Sequence, residues 1–198
     1  MESRLVRRLG ELIGKSKVLS SDAELLCYSY DSTPLVSGKP EAVVEVTSEE
    51  DIRQVMEFAA QEGLSVTARG SGTGLSGGSV PVGGGIVLLT TAMNRIIDLD
   101  ADDLSVVVEP GVITADLHAA VEERGLFYPP DPGSMKISTI GGNVAENAGG
   151  LRGLKYGITG DYVLALDTWL IDGSKVRYGT KCVKDVAGYN LTKFLVGT

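Results

Sequence analysis

Few residues of this chain could do chemistry unaided, and most of those that stand out are glycines and hydroxyls. The segment Arg69-Gly-Ser-Gly-Thr-Gly-Leu-Ser-Gly-Gly78 presents backbone N–H groups that no side chain obstructs, and Ser71, Thr73 and Ser76 add hydroxyl donors. Converging main-chain amides of this kind suit phosphate, and a pyrophosphate above all. The segment contains Gly72-x-Gly74-x-x-Gly77, the spacing of a Rossmann dinucleotide loop, and Asp98 stands about 20 residues further on, where a ribose-binding acid would sit. A Rossmann loop opens a helix, however, whereas Gly78-Ser-Val-Pro-Val-Gly-Gly-Gly85 continues as loop into another apolar strand. The phosphate would therefore rest on loop amides alone. A flexible connector would also be rich in glycine, but it needs neither the hydroxyls nor the strand that precedes them.

A second small-residue system runs Ser138-Thr-Ile-Gly-Gly-Asn-Val-Ala-Glu-Asn-Ala-Gly-Gly150 and on to Lys155-Tyr-Gly157. Small residues here let a flat ring or a polyol chain touch backbone, with Thr139, Asn143 and Asn147 available for polar contacts. Tight helix packing through Gly and Ala explains part of this pattern but not two such loops in one chain. Other signals are weaker. Gly10-Glu-Leu-Ile-Gly14-Lys15-Ser16 is one residue short of a P-loop and follows a helix instead of a strand. Asn190-Leu-Thr192 has the form of a glycosylation sequon but reads as a helix start. His118 is the only histidine and sits inside a helical stretch between Leu117 and Ala119, where it reads as a structural residue. A metal site of usual ligands and a Ser-His-Asp triad are both poorly supported, so hydrolysis is not expected.

The elements that must position these loops can be read from composition and periodicity. With 198 residues, 43% of them apolar, the chain has enough material for one compact domain, in one or two lobes. A net charge of −8 without a basic stripe argues against a nucleic-acid surface. No apolar run approaches the roughly 20 residues that span a bilayer. Cys27 and Cys182 read as free thiols, and a cytoplasmic address is the simplest expectation. Met1 to Gly14 reads as an amphipathic helix with Leu5, Leu9, Leu12 and Ile13 on one face. Ser21 caps a short helix from Asp22 to Tyr28, and Asp31 to Pro40 reads as a polar linker, so that residues 1–39 form an N-terminal helical segment. Ala42 to Val46 is an apolar strand. Thr47 and Glu50 form a capping box for a helix whose stripe is Ile52, Val55, Met56 and Ala59, ending at Gly63. Ser65 to Ala68 is the next strand and runs straight into the first loop.

Strands follow at Ile86 to Thr90, Ile96 to Leu99 and Leu104 to Glu109, with Asp100 to Asp103 as a turn. Thr114 is expected to cap a helix through Arg124, stopped by Gly125, and Pro129 to Gly133 must be extended. Ser138 or Thr139 starts a short helix toward Asn147. Asp172-Gly173 turns a hairpin between Tyr162–Ile171 and Lys175–Arg177, and Asn190 to Val196 is helical.

Six blocks in one order resemble a known family, the FAD-linked oxidases of the vanillyl-alcohol oxidase and p-cresol methylhydroxylase type. The closest branch holds the glycolate oxidase flavoprotein subunit and the D-lactate and D-2-hydroxyglutarate dehydrogenases. The blocks are Arg69 to Gly78, Met93-Asn-Arg-Ile-Ile-Asp98, Val108-Glu-Pro-Gly-Val112, Tyr128-Pro-Pro-Asp-Pro-Gly-Ser134, Ile137 to Gly150 and Asp185-Val-Ala-Gly-Tyr-Asn-Leu-Thr192. The resemblance implies a two-lobed α+β FAD-binding domain over residues 40–198, with lobe one ending near Leu99, lobe two over residues 100–198, and the cofactor extended between the lobes. It implies that Arg69, Gly70, Ser71, Gly72, Thr73, Gly74, Leu75 and Ser76 grip the pyrophosphate. Pro130, Gly133, Ser134, Thr139, Gly141, Gly142, Ala145, Asn147 and Gly149 would line the flavin and ribityl side, with Tyr156 and Gly157 nearby. Some relatives attach the flavin through a loop histidine that the matching loop lacks, so non-covalent FAD is expected. Relatives continue past the position of Thr198 with further strands and a substrate domain. The resemblance thus implies a domain incomplete at its C-terminus, a 2-hydroxy-acid substrate handled by the complete enzyme, and a partner chain or missing C-terminal half. A binding module without turnover of its own is the other reading. No catalytic residue is assigned.

Overall fold

The computed structural model describes residues 3–182 and 184–198; Met1 and Glu2, which the first helix was expected to include, lie outside them. The chain divides into two units, one running to Met93 and taking in Trp169–Lys175, the other comprising Asn94–Thr168 and Val176–Thr198.

The first unit is built on a four-stranded sheet of β1 (Val18–Leu19), β2 (Ala42–Glu45), β3 (Val66–Arg69) and β4 (Ile86–Leu89) in the order β1-β2-β4-β3. β2 and β3 both run parallel to β4, and β1 is antiparallel to β2. The inner strands read as unbroken apolar runs because both faces are covered. Ala42, Val44, Ile86 and Leu88 meet α1 (Arg4–Ile13) and α3 (Glu49–Glu62) in the main core. Val43, Val87 and Leu89 turn the other way, to Leu25 of α2 (Asp22–Cys27) and to Tyr28. α1 buries Val6, Leu9, Gly10 and Ile13, an i, i+3, i+4, i+7 set. Leu12, expected on that face, is 39% exposed; the buried stripe is one residue out of phase with it.

α3 also differs from expectation at its start. Ser48, not Thr47, is the N-cap, accepting from the Asp51 backbone N–H, and the Asp51 carboxylate accepts from both the N–H and the hydroxyl of Thr47 at 2.8 and 2.9 Å. The capping set is thus shifted one residue, with a short acid doing the work expected of Glu50. The helix ends at Gly63 in the left-handed region, and Phe58 joins the expected stripe in the core.

The second unit holds the hairpin of β5 (Ile96–Asp100) and β6 (Ser105–Val108), with a bulge between Ile96 and Asp98. It also holds α4 (Thr114–Glu122) and α5 (Ile140–Glu146), which close a core of Val112, Leu117, Val121 and Ile140. Thr114 does not cap α4. Ile113 occupies the N-cap, and the buried Thr114 hydroxyl instead joins the Ser138 hydroxyl at 2.9 Å and accepts from the Asn143 amide at 2.8 Å. Short α6 (Gly153–Tyr156) follows, then β7 (Ala165–Trp169) and β8 (Lys175–Gly179), a hairpin whose turn about Asp172-Gly173 falls with Trp169–Lys175 in the first unit, and α7 (Leu191–Leu195) capped by Asn190. Both cysteines are free and exposed. Among the described residues no helix is long and apolar enough to cross a membrane.

Candidate functional site

Parallel neighbours such as β3 and β4 need a crossover of a dozen residues or more, and a helix usually supplies it. Here the residues from Gly70 to Gly85 make the crossover with no helix at all. The loop leaves the carboxyl end of β3, where open α/β sheets place ligands.

The stretch Asp31 to Pro40, expected to be a linker, shapes this loop. Ser32 donates from its backbone N–H to the Gly74 carbonyl at 3.2 Å and from its hydroxyl to the Gly72 carbonyl at 3.5 Å. The C=O and N–H of a trans peptide point in opposite directions, and no peptide among the described residues is cis. Turning the Gly72 and Gly74 carbonyls toward Ser32 therefore turns the Thr73 and Leu75 N–H groups away from it. Among the described residues, the N–H groups of Ser71, Gly72, Thr73, Gly74 and Leu75 make no hydrogen bond within their own unit.

Arg69 lies behind the loop. It is buried, its Nη1 donates to the Ser79 carbonyl at 3.1 Å, and its guanidinium lies 5.6 Å from the centre of the Tyr28 ring. Burial lowers its pKa from the ordinary arginine value, with Asp31 pulling the other way, and the delocalised guanidinium stays charged. The close packing requires Gly72. Its φ is +68°, and a Cβ there would stand 2.2 Å from Arg69 Nη2. Gly77, at φ +83°, similarly lies over Val36, 2.6 Å from a built Cβ. Gly70 and Thr73 are half-buried, and Ser71, Leu75 and Ser76 are exposed. Residues 69–76 thus form one amide-lined loop with hydroxyls at its surface and a buried positive charge at its back, which fits a diphosphate.

In the second unit, Pro129 and Pro130 are buried and Asp131 forms a parallel bridge to Gly150. That bridge brings the Pro130–Ser134 segment beside the end of the second small-residue system. The Asp131 carboxylate also accepts from the Arg152 N–H at 3.0 Å. After Pro132 the chain makes helical turns, Met135 N–H to the Pro132 carbonyl and Ile137 N–H to the Ser134 carbonyl, both at 2.8 Å. This segment and Leu151 line an open pocket of about 420 Å³. Gly133 is exposed there, with no atom within 4 Å of a built Cβ.

The structure engages several expected ligand-side residues internally. Thr139 is buried and caps α5, accepting from Gly142 N–H at 3.2 Å. Asn143 is buried against Thr114, and Asn147 ends α5 in the left-handed region while its Oδ1 accepts from Gly160 N–H at 2.9 Å. Gly141 sits flat on Pro110, where a Cβ would come within 2.7 Å, and Gly149 faces Ile158. Ala145 is exposed. Tyr156 stacks edge-on to Phe127 at 5.7 Å and its carbonyl accepts from the Tyr162 hydroxyl, while Gly157, at φ +91°, packs on Asp161. What this region leaves accessible is therefore backbone and exposed small residues more than amide and hydroxyl side chains.

Two supporting residues, Ser32 and Val36, carry no sequence signal beyond the polar, turn-rich composition of the stretch around them, and His118, read as a structural residue, is buried. Among the described residues no group of three or more His, Cys, Asp or Glu could hold a metal ion.

The chain is similar to several known proteins. The chain is 49% identical over 191 residues to the glycolate oxidase subunit GlcD of Bacillus subtilis (strain 168), a match covering 96% of this chain and 41% of that protein. It is 39% identical over 187 residues to the D-lactate dehydrogenase of Anaerostipes hadrus, covering 94% of this chain and 39% of that one. The crystal structure of p-cresol methylhydroxylase with substrate bound shares the fold, with a TM-score of 0.73 at 22% identity over 95% of this chain and 36% of that one. The chain spans about two fifths of the length of these curated relatives. Residues 40–179 match the FAD binding domain family, and the chain belongs to that family, with the mixed α+β fold of the p-cresol methylhydroxylase type.

Proposed function

We propose that this chain binds FAD without a covalent link and serves as the flavin-holding part of an oxidoreductase acting on a 2-hydroxy acid of the glycolate or D-lactate kind. The observation that carries the cofactor reading is the orientation of the peptides at Gly72 and Gly74, whose carbonyls Ser32 draws aside so that the N–H groups of Thr73 and Leu75 face the opposite way. Those amides, with Ser71 and its neighbours, hold the diphosphate, and Arg69 offsets its charge from behind. Gly133 and Ser134, with the small residues of α5, take the flavin side. FAD, when bound, would supply the redox chemistry, as the acceptor of the hydride from the hydroxyl-bearing carbon of the substrate, with the hydroxyl proton released and a 2-oxo acid left. The substrate class is supported by the names of the relatives above. The lone histidine supports a dissociable cofactor, because the His118 imidazole is buried and its Nε2 is bonded to the Pro130 carbonyl at 2.8 Å.

The purified chain, incubated with FAD and desalted, is expected to be yellow and to release its flavin into the supernatant on acid precipitation. Flavin retained in the pellet would refute the non-covalent reading, and a colourless protein would refute the site. We further propose that this length of chain holds FAD without turning substrate over, which its coverage of about two fifths of the relatives supports. Reduction of bound flavin by glycolate or D-lactate with this chain alone would overturn that.

A further inference from the structure

His118 carries more than sequence reasoning gave it. It lies on α4, is 6% exposed, and its Nε2 is 2.8 Å from the Pro130 carbonyl. A carbonyl oxygen only accepts, so Nε2 carries the hydrogen, which fixes the tautomer of a neutral ring. The ring edge also meets Tyr128 at 5.6 Å and 78°. The segment it holds has few ways of holding itself, since Pro129, Pro130 and Pro132 have no N–H to give.

The same helix grips the segment's other end. The Ala115 N–H donates to the Met135 carbonyl and the Thr114 N–H to the Ser138 carbonyl, both at 2.9 Å. Thr114 and His118 are four residues apart and share a helix face. The first turn of α4 therefore holds Met135 and Ser138 and the next turn holds Pro130, with Gly133 and Ser134 spanned between.

We propose that His118 is a positioning residue for the flavin: by fixing the Pro130 carbonyl to α4 it sets where the Gly133–Ser134 backbone stands against the ring. This rests on the FAD reading above. The test compares His118→Leu with His118→Gln, which keeps an N–H donor, and with Val121→Ala, which loosens the same core three residues further along α4. In the full chain we expect His118→Leu to weaken FAD at least tenfold in a fluorescence titration and to alter the visible circular dichroism of bound flavin. His118→Gln should recover most of both, and Val121→Ala should lower Tm with the flavin spectrum unchanged. Without added FAD, amide exchange at residues 135–138 should accelerate in His118→Leu but not in His118→Gln. A wild-type chain that takes up no FAD overturns the site reading and this inference with it. A wild type that binds, beside a His118→Leu that binds within twofold with the same spectrum, overturns the inference alone. So does a Val121→Ala variant that reproduces every change.

Discussion

At the scale of single residues, the glycines of the first loop were legible and their neighbours were not. The run from Gly70 to Gly78 announced backbone held close to something, but not that Gly72 is held against Arg69, because the guanidinium folds back by a route no spacing encodes. Gly72→Ala should therefore act on stability and on the ligand together. Its φ of +68° alone costs about 1 kcal/mol for a residue with a Cβ, and displacing Arg69 disturbs the charge behind the loop. We expect a lower Tm and FAD binding at least tenfold weaker by titration; unchanged affinity would count against the assignment of this loop. Tyr128 offers a separate test. Burial, opposed by a hydrogen bond with Thr159, pushes its pKa up to about 12 from 10.0. The folded state thus keeps a proton that the unfolded state gives up. The stability this contributes is complete below about pH 10 and is lost as pH rises toward 12, on the order of 2 kcal/mol in all. Burial raises the Tyr28 pKa as well, so the test is by difference: the tyrosinate absorbance appearing near pH 12 should be lost in Tyr128→Phe, with the alkaline loss of Tm reduced in that variant.

At the scale of elements, strands and helices emerged from apolar pattern because this is the link that burial enforces. β2, β3, β4, β5 and β6 stand within a residue or two of where alternation and apolar runs placed them, and α5 is capped by Thr139 and Asn147, within the short helix expected from Ser138 or Thr139 toward Asn147. Helix starts were less legible, for a physical reason: Thr47, Ser48, Glu50 and Asp51 all have side chains able to cap, and geometry chooses among them only after α3 has docked. The choice of Ser48 is open to test. Ser48→Ala should cost about 1 kcal/mol and lower Tm by about 2–4 °C, whereas Glu50→Ala leaves the cap intact and should lower it less. Equal effects would restore the unshifted box. The stretch Asp31 to Pro40 shows the opposite failure. Polar, turn-rich sequence reads as connector whatever it touches, and its bonds to Gly72 and Gly74 are long-range.

At the scale of the whole molecule, a net charge of −8 is readable from composition, but the address of each apolar side chain is not. Leu151 and Leu154 near α6 and Tyr189 before α7 are 97%, 104% and 93% exposed, and no periodicity marked them as outward-facing. Large apolar groups left in water favour association, so the apparent mass in light scattering should rise with concentration; a monomer unchanged across that range would argue otherwise. The helix-free crossover between β3 and β4 bears on the molecule as a whole. A helix opening there would leave only its first-turn amide hydrogens free for an anion. This stretch instead offers the N–H groups of Ser71 to Leu75 along the loop itself, so on the FAD reading proposed above capture of the cofactor stabilises the loop that captures it. On that reading, saturation at about a hundredfold over Kd would add about 2.7 kcal/mol to the fold, and the vitamin-derived ligand would be a structural component as well as a reagent.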